Sequence, residues 1–250
     1  MTRFEDRFAG SAAGYAAMRP GYPAALLDLL VRLAPRRRLA WEAGCGSGQL
    51  SVSLADRFDR VIATDASAAQ LAHAPRPARV AYQCAMAEHS PIRSGVVDLS
   101  IAAQAAHWFD LPAYWTEVRR VGRADAVVAL VSYGLVATGD AALDAALRDF
   151  HERALAGHWA PQRRHVDSGY RTLEFPFAEI ATPALELRER WPLARLLGYV
   201  ETWSGVRALE RAEGRASIDA FRAEITEAWG APGSLRTLRW PLTVRAGRAG

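Results

Sequence analysis

The stretch Glu42-Ala43-Gly44-Cys45-Gly46-Ser47-Gly48 decides the fold. It joins a short apolar strand, predicted over 39–43, to a helix predicted over 49–57. Glycines at a strand-to-helix turn let a ligand approach the backbone, where a side chain would clash. Asp65 ends the next predicted strand, where an acid can accept both hydroxyls of an adenosine ribose. The unit therefore predicts a nucleoside-containing cofactor at the carboxyl edge of a parallel sheet.

The side chains of this loop distinguish two cofactors that use such a layout. A dinucleotide requires a third glycine where the chain has Gln49, and Glu42 would repel its pyrophosphate. S-adenosylmethionine (SAM) has no phosphate, and its sulfonium and α-ammonium groups suit an acid at position 42. A purely structural glycine turn would not need both Glu42 and Asp65. The pattern favours SAM, with S-adenosylhomocysteine as product, and Cys45 is interpreted as a packing residue rather than a nucleophile.

Strands and helices alternate along the first half of the chain. Apolar strands are predicted over 60–64, 80–84, 96–103 and 124–132, and helices over 24–33, 67–73 and 111–121. Strands that are apolar throughout indicate a parallel sheet covered on both faces. Beyond residue 135 the predictions are helices over 141–156, 193–203 and 217–229, strands over 185–191 and 235–245, and an irregular segment over 159–183.

These elements predict an α/β fold: a Rossmann-like, doubly wound, mostly parallel sheet with a helical substrate cap. We expect a single domain over residues 1–250. Its parts are an N-terminal lid (1–23), a SAM-binding core (24–134), a cap and substrate region (135–230) and a closing strand (235–246).

Composition argues against several classes of protein. No apolar run approaches the roughly 20 residues of a membrane span, and the first residues lack the apolar core of a signal peptide. We therefore expect a cytoplasmic protein with no membrane partner. Two cysteines, Cys45 and Cys84, are too few for a disulfide scaffold and lack metal-ligand spacing, so no metal is expected.

The net charge of +4 raises the question of nucleic-acid binding. All 31 basic residues are Arg, and the chain has no Lys and no Asn, a composition typical of a GC-rich genome. These arginines are scattered rather than gathered in a stripe with aromatic residues. The sequence therefore predicts a small-molecule substrate and no nucleic acid, and it leaves the oligomeric state open.

The chain resembles the class I SAM-dependent methyltransferases, and within them the group of trans-aconitate methyltransferase-like proteins. The glycine loop carries the broader resemblance. The narrower one depends on Gln104-Ala105-Ala106-His107-Trp108 and Glu201-Thr202-Trp203-Ser204, supported by the segment over 15–23 and by Trp240-Pro241-Leu242. The matching pieces extend over nearly the whole chain.

The resemblance implies roles around the cofactor. Glu42 and the loop residues Gly44, Cys45, Gly46 and Gly48 would surround the methionine half of SAM. Asp65 would bind the ribose, while Ala66, Met86 and the Ala87 N–H would contact the adenine. Gln104 would flank the methionine end, and Tyr15 and Arg19 would close over the cofactor, with Arg19 available to its carboxylate. A surface cation is the alternative reading of Arg19.

The acceptor side is less constrained. An acceptor O–H or N–H must lose a proton, and His107 is the candidate general base, with a structural histidine as the alternative. Candidate substrate residues are Trp108, Tyr133, Tyr170, Tyr199 and Trp203. Aromatic walls suit an aromatic natural product, whereas a small carboxylic acid would need an arginine such as Arg171 or Arg195.

These observations favour a SAM-dependent methyltransferase (EC 2.1.1.-) that acts on oxygen or nitrogen of a small molecule, with secondary metabolism as one fitting setting. Two alternatives stay open. One is a SAM-binding scaffold or cyclase-like protein that does not methylate, and the other is an enzyme that forms methyl esters of small carboxylates.

Overall fold

The computed structural model of the chain describes residues 18–249. Tyr15 and most of the predicted N-terminal lid (1–23) lie outside these residues. The strands of the described part are β1 (Leu39–Ala43), β2 (Arg60–Asp65), β3 (Val80–Cys84), β4 (Val97–Ala103), β5 (Gly122–Tyr133), β6 (Glu179–Ile180), β7 (Leu185–Trp191) and β8 (Arg236–Arg248).

All of these strands belong to one sheet, in the order β3-β2-β1-β4-β5-β8-β6, with β7 also paired to β8. The first five strands pair in parallel, and β8 runs antiparallel to β5, β6 and β7. The predicted α/β fold class, with a mostly parallel Rossmann-like sheet, is therefore confirmed.

Helices cover the sheet and extend beyond it. They are α1 (Ala24–Leu33), α2 (Gln49–Ala55), α3 (Ala68–Ala72), α4 (Leu111–Val121), α5 (Ala141–Asp149), α6 (Arg163–Asp167), α7 (Leu193–Glu201), α8 (Ser204–Glu213) and α9 (Ala216–Trp229). The structure describes no helix that is both long enough and apolar enough to cross a membrane within residues 18–249.

Strand β5 shows why its central run, residues 126–131, is apolar throughout. Val127, Ala129 and Val131 pack into one hydrophobic core, whereas Val128 and Leu130 pack into a second core. Successive side chains of a strand point to opposite faces, so burial on both faces requires an uninterrupted apolar run.

The cap region departs from the sequence predictions in three places. The helix predicted over 141–156 ends at Asp149 and continues as a π-helical turn, Phe150–Ala154. A π-helix is wound more widely than an α-helix, so a pattern with a period of 3.6 residues does not predict it. Helix α8 was not predicted; it begins after Trp203, whose extended backbone ends the preceding helix. The segment predicted as irregular over 159–183 contains α6 and β6.

Parallel pairing brings three loops to the same edge of the sheet. Ala43 at the end of β1 pairs with Thr64, and Asp65 at the end of β2 pairs with Cys84. Gln104 follows directly after β4, the other neighbour of β1. The glycine loop, Asp65 and Gln104 therefore lie side by side, as the sequence pattern predicts.

Candidate active site

The glycine loop is tied to the end of β2 by its backbone and by Asp65. The N–H groups of Gly44 and Cys45 both donate to the Thr64 carbonyl, at 2.8 and 3.0 Å. Asp65 accepts the Gly46 N–H on Oδ2 at 2.7 Å and the Ser67 N–H on Oδ1 at 2.8 Å. Asp65 thus orders the loop as well as standing at the predicted ribose position.

Gly46 and Gly48 both need positive φ angles, of 55° and 79°, but their surroundings differ. A Cβ added at Gly46 would meet one atom of the described residues within 4 Å, Gln70 Oε1 at 3.9 Å. A Cβ added at Gly48 would collide with the ring of Tyr82. Gly46 is therefore the loop position where a ligand has room to approach, whereas Gly48 is required by packing within the protein.

Glu42 lies at the base of this cleft. Its side chain is only 2% exposed and accepts a short hydrogen bond from the Ser51 hydroxyl. Burial, with a smaller contribution from the nearby Asp65, raises the pKa of Glu42 to about 8 against the opposing effect of the Ser51 hydrogen bond. A cation beside Glu42 would favour the ionised form and reverse this shift.

Cys45 is buried, with its thiol directed at the Gly46 carbonyl at 3.6 Å. Burial, together with Glu42 and Asp65, raises the pKa of this thiol. A thiol that stays protonated is a poor nucleophile, which agrees with the packing role inferred from the sequence.

The predicted adenine contacts follow β3. The Ala85 N–H donates to the Asp65 carbonyl at 3.1 Å, which places the next residue, Met86, beside the end of β2. Met86 is 40% exposed, whereas Ala87 is buried. Glu88 accepts the Asp110 N–H at 2.8 Å and so supports the start of α4. Ala66 directly follows Asp65 in the chain.

A cavity lies next to this cleft, between the end of β4 and the cap. It measures about 70 Å³, which is space for a group of a few non-hydrogen atoms. Seven of the predicted site residues line it together: Arg19, Gln104, His107, Trp108, Tyr133, Tyr199 and Trp203.

Arg19 lines this cavity. Its guanidinium donates to the Tyr133 hydroxyl at 3.2 Å and lies 5.4 Å from the centre of the Tyr199 ring. Gln104 is adjacent, with its Nε2 donating to the Tyr133 carbonyl at 2.9 Å and a φ angle of 55°. A non-glycine residue in this conformation stores strain, which is frequent at functional sites.

His107 lies on a 3₁₀ turn, Ala106–Trp108, immediately after β4. Its Nδ1 is 2.9 Å from the hydroxyl of Tyr170. Burial, with Arg163 and His165 nearby, lowers the pKa of His107 to about 3, so the ring is neutral near pH 7. Tyr170, predicted as a wall residue, is fully buried behind His107 and is not among the cavity-lining residues.

The aromatic wall of the cavity is continuous with the cap. Trp203 packs edge-on against Tyr199, with ring centres 5.7 Å apart, and lies 6.0 Å from Trp159. The Trp159 indole N–H donates to the carbonyl of His151, which belongs to the π-helical turn. The π-helical turn therefore supports one side of the cavity.

Arg163 is the functional candidate that the sequence patterns did not single out. It lines the cavity, lies 4.8 Å from the Trp159 ring centre, and donates from Nε to Asp167 at 2.8 Å. The two arginines proposed from the sequence for an acidic substrate lie elsewhere: Arg171 is exposed, and Arg195 pairs with Glu189. The one available indication was the enrichment in Arg and aromatic residues over 159–183.

Within residues 18–249, no three His, Cys, Asp or Glu side chains are grouped as ligands of a metal ion.

Comparisons with known proteins agree with this architecture. Residues 41–130 match the family model described as a methyltransferase domain. A solved structure from Anaeromyxobacter dehalogenans, of a protein assigned to the type II methyltransferases, is 46% identical. It covers 92% of this chain and 98% of its own, with a TM-score of 0.87.

Two relatives extend the similarity over most of the chain. A Dictyostelium discoideum protein that its name assigns to the methyltransferases is 30% identical over 231 residues, covering 91% of this chain and 88% of the relative. The malonyl-[acyl-carrier protein] O-methyltransferase of Enterobacter lignolyticus is 32% identical over 204 residues, covering 80% and 77% of the two chains.

Proposed function

Since the chain belongs to the methyltransferase family, we propose that it transfers a methyl group from SAM to oxygen or nitrogen of a small-molecule acceptor. The observation that carries this proposal is the adjacency of two features at one sheet edge: the glycine loop with Glu42 and Asp65, and the cavity beside Gln104. The narrower membership in the trans-aconitate methyltransferase-like group stays a prediction.

The residues of the cleft fit SAM. The open face of Gly46 gives a ligand access to the loop backbone, and the buried carboxyl of Glu42 suits an ammonium group. The Tyr82 hydroxyl is buried at the same loop without a hydrogen-bond partner among the described residues. Glu42 would hold the cationic end, Asp65 the ribose, and Met86 would pack on the adenine.

When bound, SAM supplies a methyl carbon activated by its sulfonium sulfur. The protein then has to align the acceptor with that carbon and keep water out. Gln104 and the aromatic residues Tyr133, Tyr199 and Trp203 are placed to orient the acceptor.

The function is tested by calorimetry of the purified chain with SAM and with NAD(P)H, followed by an assay for S-adenosylhomocysteine release. We expect SAM to bind and NAD(P)H not to bind. Asp65→Ala should weaken SAM binding, whereas Asp56→Ala, an exposed residue at the end of α2, should not. Binding of NAD(P)H without SAM would overturn the proposal, and SAM binding without methyl release from any acceptor would favour a non-methylating SAM protein.

The cavity also supports a more specific candidate, methyl transfer to a carboxylate. Two guanidinium groups, of Arg19 and Arg163, line a small cavity whose wall also includes several aromatic rings. Guanidinium groups bind carboxylates through paired, charge-assisted hydrogen bonds. The Enterobacter relative is named for a malonyl group, which ends in a carboxylate. Acceptors supplied as matched acids and primary amides test this candidate, because only the acids should be methylated.

A further inference from the structure

His107 and Tyr170 share a hydrogen bond behind the cavity wall, and the phenol is held rigidly. Nδ1 of His107 lies 2.9 Å from the Tyr170 hydroxyl oxygen. Tyr170 is fully buried and has a φ angle of 62°, a conformation that few residues with side chains adopt. Nη1 of Arg245 donates to the carbonyls of Tyr170 and Leu173, at 2.7 and 2.9 Å. Because Arg245 holds these two carbonyls, the strained backbone at Tyr170 is fixed and keeps the phenol in one position.

The surroundings of the phenol oxygen set the direction of this hydrogen bond. Burial raises the pKa of Tyr170, so the phenol keeps its proton. Among the described residues, the hydrogen-bond partner of the phenol oxygen is Nδ1 of His107. A buried O–H that finds no acceptor costs about 1–3 kcal/mol, so the phenol donates its hydrogen to that nitrogen. Nδ1 of His107 is the acceptor that the structure provides.

His107 itself is held neutral, because burial, Arg163 and His165 all lower its pKa. A neutral imidazole carries one proton, on one of its two nitrogens. If Nδ1 accepts from Tyr170, the proton is on Nε2, on the opposite side of a ring that lines the cavity.

We propose that Tyr170 is a positioning residue that holds His107 in the tautomer presenting an Nε2–H donor to the methyl acceptor. This inference rests on the function proposed above. The general-base hypothesis for His107 needs the opposite arrangement, in which Nδ1–H donates to Tyr170 and Nε2 carries the lone pair.

The tautomer has a consequence for the acceptor. An Nε2–H donor suits an attacking oxygen that is already free of a proton, as in a carboxylate. The new bond forms between that oxygen and the methyl carbon, the carbon–sulfur bond breaks, and its electron pair stays on sulfur. The products are a methyl ester and S-adenosylhomocysteine, and no proton has to be removed. His107 and Arg163 would then both bind the acceptor oxygens.

The tautomer of His107 can be determined by NMR in the protein without bound cofactor. Two-bond ¹H–¹⁵N NMR correlations distinguish protonated from unprotonated ring nitrogens, and the His107→Gln variant identifies the resonances among the six histidines. We expect Nε2 of His107 to be protonated. In Tyr170→Phe, which keeps the ring and loses the hydroxyl, the two tautomers should become mixed. A proton on Nδ1 in the native chain, or an unchanged tautomer in Tyr170→Phe, contradicts the proposal.

Activity gives a second, independent test. Glutamine can place an amide N–H where His107 has Nε2–H, but it cannot act as a base. With an acidic acceptor, His107→Gln should keep kcat within about tenfold of the native value, whereas His107→Ala should lose roughly 10- to 100-fold, the worth of a hydrogen bond to a charged group. Equal losses in both variants would restore the base role. Calorimetry with SAM distinguishes failure of the proposed function from failure of the positioning role of Tyr170. If the native chain does not bind SAM, the proposed function is contradicted. The NMR experiment needs no SAM, so it still decides the tautomer of His107.

Discussion

The ring of Tyr82 fills the space that a side chain at position 48 would need: a Cβ added to Gly48 would lie 2.8 Å from two ring carbons, Cε1 and Cζ. Tyr82 projects from β3, and its burial raises the pKa of its phenol to about 12. The last glycine of the loop is therefore required by a contact inside the protein. In the sequence it looks like one more residue of a ligand-binding motif.

We expect Gly48→Ala to destabilise the protein more than Gly95→Ala. Both glycines have positive φ angles, 79° and 68°, so each alanine costs roughly 1–2 kcal/mol of backbone strain. An added Cβ at Gly95 has no atom of the described residues within 4 Å, whereas at Gly48 overpacking adds about 1–3 kcal/mol. Free energies of unfolding in urea measure the difference.

The contact with Tyr82 is isolated by a double-mutant cycle. Tyr82→Ala alone should destabilise the protein, but Gly48→Ala should then cost no more than Gly95→Ala does. Additive effects of Gly48→Ala and Tyr82→Ala would show that the ring is not the obstacle.

The affinity for SAM should rise with pH because of Glu42. Its pKa of about 8 means that the carboxyl is protonated at neutral pH, and binding of a cationic ligand must release that proton. Below about pH 8 the association constant should increase by up to tenfold per pH unit, and above it the increase should level off. Calorimetry in buffers of different ionisation enthalpy measures the released proton directly. Glu42→Gln is the control, and an equal pH slope in that variant would assign the proton to another group.

The same carboxyl should make the free protein less stable as pH rises. The folded pKa of about 8 lies above the ordinary value of 4.5, so the folded state holds more protons than the unfolded state between these values. The free energy of unfolding should therefore fall from about pH 4.5 to pH 8. The contribution of Glu42 appears as the difference between native and Glu42→Gln unfolding curves across this range, and parallel curves would contradict it.

Much of the sheet could be predicted because its elements carry local signatures. Helix α1 has the predicted bounds, since Pro23 precedes it and Leu26, Leu27 and Leu30 recur at helical spacing on its buried face. Ser67 caps α3, accepting the Gln70 N–H at 3.3 Å, at the start of the helix predicted over 67–73. Such patterns lie within one element and need no knowledge of its partners.

The cavity beside Gln104 could be predicted only in part. His107 and Trp108 follow the end of a recognisable strand, so their place was evident. Arg163 lies on a five-residue helix too short to show a period, and only the tertiary fold brings it to the same cavity. The wholly buried position of Tyr170 likewise depends on Arg245, which is distant in sequence.

Asp98 should contribute far more to the free energy of unfolding than Asp125, an exposed aspartate that forms an ion pair. Its buried Oδ2 accepts the backbone N–H groups of Arg38 and Leu39 at 2.9 and 3.0 Å, which joins the start of β1 to β4. Asp98 Oδ1 also pairs with Nε of Arg123 at 3.0 Å. Asp98→Ala leaves the two amides without their acceptor and Arg123 without this partner, and should cost about 3–5 kcal/mol. Asp125→Ala removes an exposed pair with Arg36 and should cost about 0–1 kcal/mol. Urea denaturation of both variants checks this, and equal costs would contradict the role of Asp98.

Arg163 should select acceptors that carry a negative charge. Its guanidinium lines the cavity and is oriented by Asp167 and Trp159, so a carboxylate placed there gains a charge-assisted hydrogen bond. Such a bond contributes about 1.5–3 kcal/mol, so Arg163→Gln should raise the KM for an acidic acceptor by roughly 10- to 100-fold. The KM for the matching amide should change little. Arg164, the next residue on the same helix, is exposed, and Arg164→Gln is the matched control. Calorimetry should find the same SAM affinity in both variants. If Arg163→Gln changed the KM for the acid and for the amide equally, the guanidinium would support the cavity wall through Trp159 and would not recognise the charge of the acceptor.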